Sequence, residues 1–277
     1  MSVDQSGRWG AQKRAALRLA LSRGLDTIWT LCARLALGPM RADESLHIVT
    51  GADSSHAESL KNLLESIDEH ESSARVTVWD LGLSELERKS IERDHPKFDL
   101  VRFDFGRYPH HLDLRIDAGA YAWKPVVISE AFHQSHGPIV WLDAGNLVVG
   151  RLHFLRRIVV RNGFFSPYSQ GRVRQWTHPG TLDSLRADGE ILGKRNCNGA
   201  ILAFDSRQRR ASSLLRAWLN CALDKNCIAP AGASLTNHRY DQAALTVLAA
   251  QHRLNSNSMF RNLRRPLGLM IHQDVEY

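Results

Sequence analysis

From Leu46 onward short apolar runs alternate with stretches of helical period, an order that few folds accommodate. Leu46-His-Ile-Val-Thr50 is closed by Gly51, and the stretch to Ile67 sets Leu60, Leu63, Leu64 and Ile67 on one helical face. Arg75-Val-Thr-Val-Trp79 reads as a second strand, and Ser84 with Glu87 makes a capping box for a helix through Arg93. Leu100–Phe103 is a third strand, and Ala120–Phe132 a helix that carries Pro125. Pro138–Leu142 is a fourth strand, apolar throughout as suits the middle of a sheet. Strands alternating with helices imply a mainly parallel sheet with helices on both faces.

The second half is less regular. Phe164-Phe165 and Ala200–Phe204 read as strands, Ala211–Asp224 and Asp241–His252 as helices, and Ser166–Lys194, rich in Gly, Arg and Ser, as a long functional loop. With 43% hydrophobic and 23% charged residues, the 277-residue chain has the composition of a soluble globular protein with a buried core. Residues 1–40 are set apart. Between Ala11 and Leu37 an apolar face of Leu17, Leu21, Leu25, Ile28, Cys32 and Leu35 is interspersed with Lys13, Arg14, Arg18, Arg23 and Arg34, and Gly38-Pro39 ends the pattern. The charges interrupt any apolar run of about 18 residues, so the segment reads as amphipathic and not as membrane-spanning. It either lies on an anionic membrane surface through residues 11–37 or packs on the domain or another subunit.

A formal charge of +7 and a pI near 9.5 favour acidic partners such as nucleoside diphosphates or anionic lipids. No nucleic-acid-binding motif accompanies the charge, so nucleic acid is not an expected partner. Cys32, Cys197, Cys221 and Cys227 lack metal-site spacing and an obvious pairing, and no secretory signal is evident. Free thiols in the cytoplasm are the expectation, with the chain peripheral at the inner membrane face on the membrane-surface reading of residues 11–37.

Ligands of doubly wound sheets bind at the carboxyl ends of strands. Asp53 follows the first strand and Asp143 ends the fourth, whereas Asp80, beside Gly82 and Ser84, suits a turn and a helix start. A strand-end carboxylate holds a ribose hydroxyl, holds a divalent ion bridging phosphates, or caps a turn. The residues alone leave these open. Asn146 adds an oxygen three residues on. The pairs His110-His111 and His133/His136 lack an acidic partner at metal-site spacing, and Arg156-Arg157, Arg161, Arg172 and Arg174 read as a solvated face. No nucleophile elbow, P-loop or Gly-x-Gly-x-x-Gly fingerprint is present.

Six segments in order, Thr50–Ala57, Val78–Ser84, Ile139–Asn146, Asn198–Ala200, Asp241-Gln242 and Ile271-His272, carry a likeness to a known family: over about five-sixths of its length the chain resembles the family 8 glycosyltransferases and related GT-A proteins. Thr50-Gly-Ala-Asp53-Ser-Ser55-His56-Ala57 is similar to their first-strand loop, Val78–Ser84 to the second strand and its turn, and Ile139-Val-Trp-Leu-Asp143-Ala-Gly145-Asn146 to the Asp-x-Asp segment. Asn198-Gly199-Ala200, Asp241-Gln242 and Ile271-His272 resemble the donor-sugar segment, the pair near the reactive carbon and the C-terminal metal histidine. The resemblance implies an α/β, GT-A Rossmann-like single domain over 41–277, with a mainly parallel central sheet and an N-terminal amphipathic helix. It implies transfer of a hexose, with retention, from a nucleotide-diphosphate sugar to the hydroxyl of a glycan or lipid-linked acceptor, as in cell-surface polysaccharide synthesis.

On this match Thr50, Asp53, Ser55, His56, Lys124, Asp143, Asn146 and Asn198 would bind the donor, and Ser166–Lys194 would form an acceptor-side insertion. Asp241 and Gln242 would face the anomeric carbon. Asp143 and His272 would hold Mn²⁺ or Mg²⁺, or Lys124 and Arg264 would meet the diphosphate without metal. Gly145 stands where the second Asp of Asp-x-Asp should be, which lowers the charge and ligand count of a divalent site. It also admits a second reading, a nucleotide-sugar-binding or scaffolding protein without turnover. A nucleotidyltransferase is a third, though its Gly-rich N-terminal loop is absent.

Overall fold

The computed structural model describes residues 45–254 and 267–271. The expected helix over 11–37 lies outside them, as do Arg264 and His272. The chain runs β1 (His47–Asp53), α1 (Ala57–His70), β2 (Arg75–Gly82), α2 (Glu85–Asp94), β3 (Asp99–Arg102), α3 (Trp123–His133), β4 (Pro138–Leu142), β5 (Leu147–Val148) and α4 (His153–Asn162). There follow β6 (Phe164–Phe165), β7 (Tyr168–Arg172), α5 (Val173–Trp176), α6 (Pro179–Ser184), β8 (Arg195–Cys197), β9 (Ile201–Asp205), α7 (Arg209–Leu223), α8 (Lys225–Ile228), α9 (Tyr240–Gln251) and β10 (Leu269–Met270).

Six strands form the central sheet in the order β3-β2-β1-β4-β9-β6. The first four are parallel; β9 runs antiparallel beside β4, and β6, antiparallel to β9, points the same way as the first four. Alternate side chains of a strand face opposite ways, and β4 shows the result. Ile139 and Trp141 join a core with Val126 and Val127 of α3, Leu214 and Trp218 of α7, and Leu245 and Leu248 of α9. Val140 and Leu142 join a second core with Leu60, Leu63, Leu64 and Ile67 of α1 and Leu155, Ile158 and Val159 of α4. Burial on both faces is why β4 carries no polar side chain.

Local chemistry sets the element boundaries. Ser84 Oγ accepts from the Glu87 N–H, and Glu87 accepts from the Ser84 N–H, so the expected capping box starts α2. Asp80 is a turn carboxylate, as its neighbours suggest. It accepts from the N–H groups of Gly82 and Leu83 and pairs with Arg88.

Four expectations are corrected. The helix expected from Ala120 begins at Trp123, because residues 117–121 all take left-handed φ angles of 46° to 62°. Pro125 then falls in the first helical turn, where a missing N–H costs no bond. The segment Ser166–Lys194 is not one loop: β7, α5 and α6 occupy it, with β7 paired to β8. Arg156 is not solvated but buried, with both guanidinium nitrogens on the Glu71 carboxylate. Cys221 and Cys227 are not free thiols. The end of α7 and the following α8 bring their Cα atoms to 5.2 Å in a disulfide, within the span such a bond requires.

Candidate functional site

Pairing of β4 with β9 sets Leu142 opposite Ile201, so each strand's next residues meet at one end of the sheet. There the Asp143 N–H donates to the Ala200 carbonyl at 2.9 Å. Lys124, in the first turn of α3, reaches this point from one core, and Asp241, in the first turn of α9, from the same side. The Lys124 ammonium lies 2.9 Å from Asp143 Oδ1 and 3.6 Å from Asp241 Oδ2, and donates to the Gly199 carbonyl at 3.3 Å. Its side chain is only 5% exposed. The rings of Tyr121, Trp123 and Trp141 stand 5.6 to 5.8 Å from Nζ. The Trp141 indole N–H also donates to Asp143 Oδ1, at 2.6 Å.

The electrostatics follow from burial and charge. Burial works to lower the Lys124 ammonium, but the two carboxylates outweigh it and hold it above the usual lysine range. Burial pushes the Asp241 carboxyl up to about 6, with Lys124 opposing and Asp143 adding to the rise. One buried cation thus serves two carboxylates, Asp241 buried beside it and Asp143 open to the cavities.

Two cavities meet at this cluster. The first, about 390 Å³, lies at the ends of β1 and β2 and is lined by Asp53, Ser55, His56, Leu81, Trp123 and the Ala144-Gly145 loop, among others. On its rim Asp53 Oδ1 accepts from Ser55 Oγ at 2.6 Å and contacts His56 Nδ1 at 3.1 Å. Partial burial works to raise the Asp53 carboxyl, but these hydrogen bonds prevail and hold it below the usual range. The second cavity, about 330 Å³, is lined by Asn198, Gly199, Asp241 and Gln242, with Trp176 and Arg239 at 4.3 Å in a cation–π contact. Gln242 Oε1 accepts from the Gly199 N–H at 3.3 Å, and Asn198 Oδ1 from the Ala200 N–H at 2.7 Å. Tyr121, Lys124 and Asp143 line both cavities.

Of the residues singled out in the sequence, Asp53, Ser55, His56, Lys124, Asp143, Asn198, Asp241 and Gln242 border this double cavity. Two do not. Thr50 is fully buried within β1, and Asn146 is buried with its amide donating to the carbonyls of Asp143 and Ala200. Asn146 thereby ties the Asp143 loop to the start of β9. One histidine of each pair serves structure: His133 Nδ1 contacts the Ser129 carbonyl and His111 Nε2 the Ala222 carbonyl. Sequence reasoning missed Trp176, Arg239 and the role of Tyr121. Arg239 lies two residues before Asp241, a proximity that could have flagged it, but nothing in the pattern around Trp176 marks it.

The described residues at Asp143 do not make a divalent-ion donor set. Gly145 brings no side-chain oxygen, and Asp143 Oδ1 already meets an ammonium and an indole N–H. Hard divalent ions require several oxygens free to turn toward them. Among the described residues no three His, Cys, Asp or Glu side chains cluster as ligands.

A family model described as "Protein of unknown function (DUF1647)" matches residues 36–129, about a third of the chain. No curated protein matches it in sequence. Among solved structures, the apo WbbM bifunctional glycosyltransferase is similar with a TM-score of 0.51 at 15% identity, covering 82% of this chain and 40% of that one. The chain therefore spans less than half of WbbM. An active-site mutant of LgtC gives 0.49 at 16% identity, covering 79% and 73%, and mouse xyloside xylosyltransferase 1 in its apo form gives 0.44 at 14%, covering 78% and 85%. The fold is that of the GT-A glycosyltransferases, α/β and Rossmann-like with a mainly parallel central sheet.

Proposed function

We propose that the protein is a glycosyltransferase that moves a sugar from a nucleoside-diphosphate donor to a hydroxyl acceptor. The observation that carries this reading is the double cavity at the strand ends, with Tyr121, Lys124 and Asp143 shared by both lobes. A donor has the same two-part form, a nucleoside and a sugar joined by a diphosphate. Asp53, Ser55 and His56 suit the hydroxyls and base of the nucleoside. Asn198, Asp241 and Gln242 suit the sugar, and Trp176 and Arg239 the acceptor side. Glycosyl transfer separates charge between an oxocarbenium-like sugar and a departing diphosphate, so the junction needs positive charge at the phosphates and negative charge near the ring. Lys124 and Asp241 stand in that order across the junction.

The reading is tested by a panel of uridine and guanosine diphosphate sugars, scored first for thermal stabilisation and then for release of free nucleoside diphosphate. Stabilisation by at least one donor is expected, since a ligand bound only to the folded state raises its stability. Asp241→Asn keeps the shape and removes the charge. It is expected to lower turnover by about 100-fold or more while donor binding changes less, the pattern of a group that acts in the transition state. Full turnover in this variant would remove Asp241 from the chemistry. Gly145 favours one rival, a binding protein with the fold but no turnover, and stabilisation without nucleotide release would select it.

A further inference from the structure

The ammonium of Lys124 stands where the site most needs a cation. It rests within 4 Å of two carboxylates, is nearly enclosed, and is ringed by Tyr121, Trp123 and Trp141. Aromatic faces attract a cation, and a buried lysine held by two carboxylates stays charged. A divalent ion on Asp143 would be left with Oδ2, since Oδ1 already meets this ammonium and the Trp141 N–H, and the two cations would stand close enough to repel. Gly145, which lines the same cavity, offers no side-chain oxygen to a cation.

We propose that Lys124 is the site's resident cation, and that the donor diphosphate binds at the junction of the two lobes without a divalent metal. The inference rests on the donor-site reading above and deepens it. Nζ makes one short contact, to Asp143, and two longer ones, 3.3 Å to the Gly199 carbonyl and 3.6 Å to Asp241. The short contact holds the ammonium in place while the longer ones exchange for phosphate oxygens. A lysine provides a compact point charge with three donors, which suits a diphosphate crossing at an angle.

The test is calorimetric titration of the full chain with uridine diphosphate and guanosine diphosphate, in EDTA and in Mn²⁺. The nucleotide that binds is expected to do so with dissociation constants that agree within about threefold in the two conditions. Lys124→Ala is expected to weaken binding in EDTA by about 10- to 100-fold, the worth of a charge-assisted hydrogen bond. Mn²⁺ then recovers part of the loss, because Asp143 and Asp241 are left facing an emptied cation position. Should Lys124→Ala fail to fold by circular dichroism, Lys124→Met with Asp241→Asn removes one charge of each sign and takes its place. Wild-type binding that requires Mn²⁺, or a Lys124→Ala variant that binds as tightly as wild type in EDTA, overturns the proposal. Binding of neither nucleotide under either condition overturns the donor-site reading, and this inference with it.

Discussion

A Cβ placed on Gly119 would lie 2.3 Å from the Leu112 carbonyl oxygen and 3.2 Å from the Trp123 ring. Its φ of +62° sits in a run of five left-handed residues, of which Asp117, Ala118, Ala120 and Tyr121 carry side chains. Each such residue costs roughly 1–2 kcal/mol relative to right-handed backbone. Strain of this kind gathers at functional sites and is offset by packing around it. Here it turns the chain so that Tyr121 enters the junction of the lobes and Lys124 falls in the first turn of α3. Gly119→Ala is expected to destabilise the protein by about 2–4 kcal/mol, read as a lower urea midpoint with unchanged slope. None of this is visible in Asp117-Ala-Gly-Ala-Tyr121, whose alanines favour a helix by propensity. The place of Asn146 is hidden for a related reason. Its amide could serve a ligand or a carbonyl, and only the approach of Ala200 from β9 decides between them.

At the scale of elements, the strands and their order were legible because apolar runs bounded by Gly, Asp or Ser have few readings once both faces are buried. The span Ser166–Lys194 was not, since β7 and β8 are short, largely polar and stabilised by each other across the segment. The link between α7 and α9 was also hidden. Trp218 donates from its indole to the Asp241 carbonyl at 2.9 Å, one turn from Cys221. The disulfide fastens the end of the same helix. Replacing both cysteines by serine is expected to cost about 2 kcal/mol, the chain-entropy value for so short a loop. Reductant is expected to lower the melting temperature of the wild type and leave the double variant unchanged.

Across the whole molecule, two buried histidines make the fold sensitive to acid. Burial lowers His47 and His238 to about 4. The unfolded chain takes up these protons near 6.5, so the stabilisation is fully present above that pH and is lost as pH falls toward 4. Each histidine accounts for up to about 3 kcal/mol. Asp241 acts in the opposite sense. Its carboxyl, raised to about 6, binds a proton in the folded state first, so its contribution grows as pH falls from 6 to the ordinary carboxylate range. Denaturant titrations between pH 7 and 4 are therefore expected to show falling stability, and a steeper fall in Asp241→Asn. A flat profile in that range would contradict burial as the governing influence on these histidines. The sequence shows thirteen histidines but not that His47 and His238 are enclosed, because enclosure depends on β1 and the segment before α9 meeting distant parts of the chain.

The cross-link between Cys221 and Cys227 reaches beyond stability, to the conditions of the chain's synthesis. Such bonds persist where thiols are oxidised and are lost where glutathione keeps them reduced. A chain matured in reducing surroundings would keep the end of α7 unfastened, and with it the helix that carries Trp218 against the backbone of Asp241. The redox history of a preparation would then set how firmly its cleft is assembled.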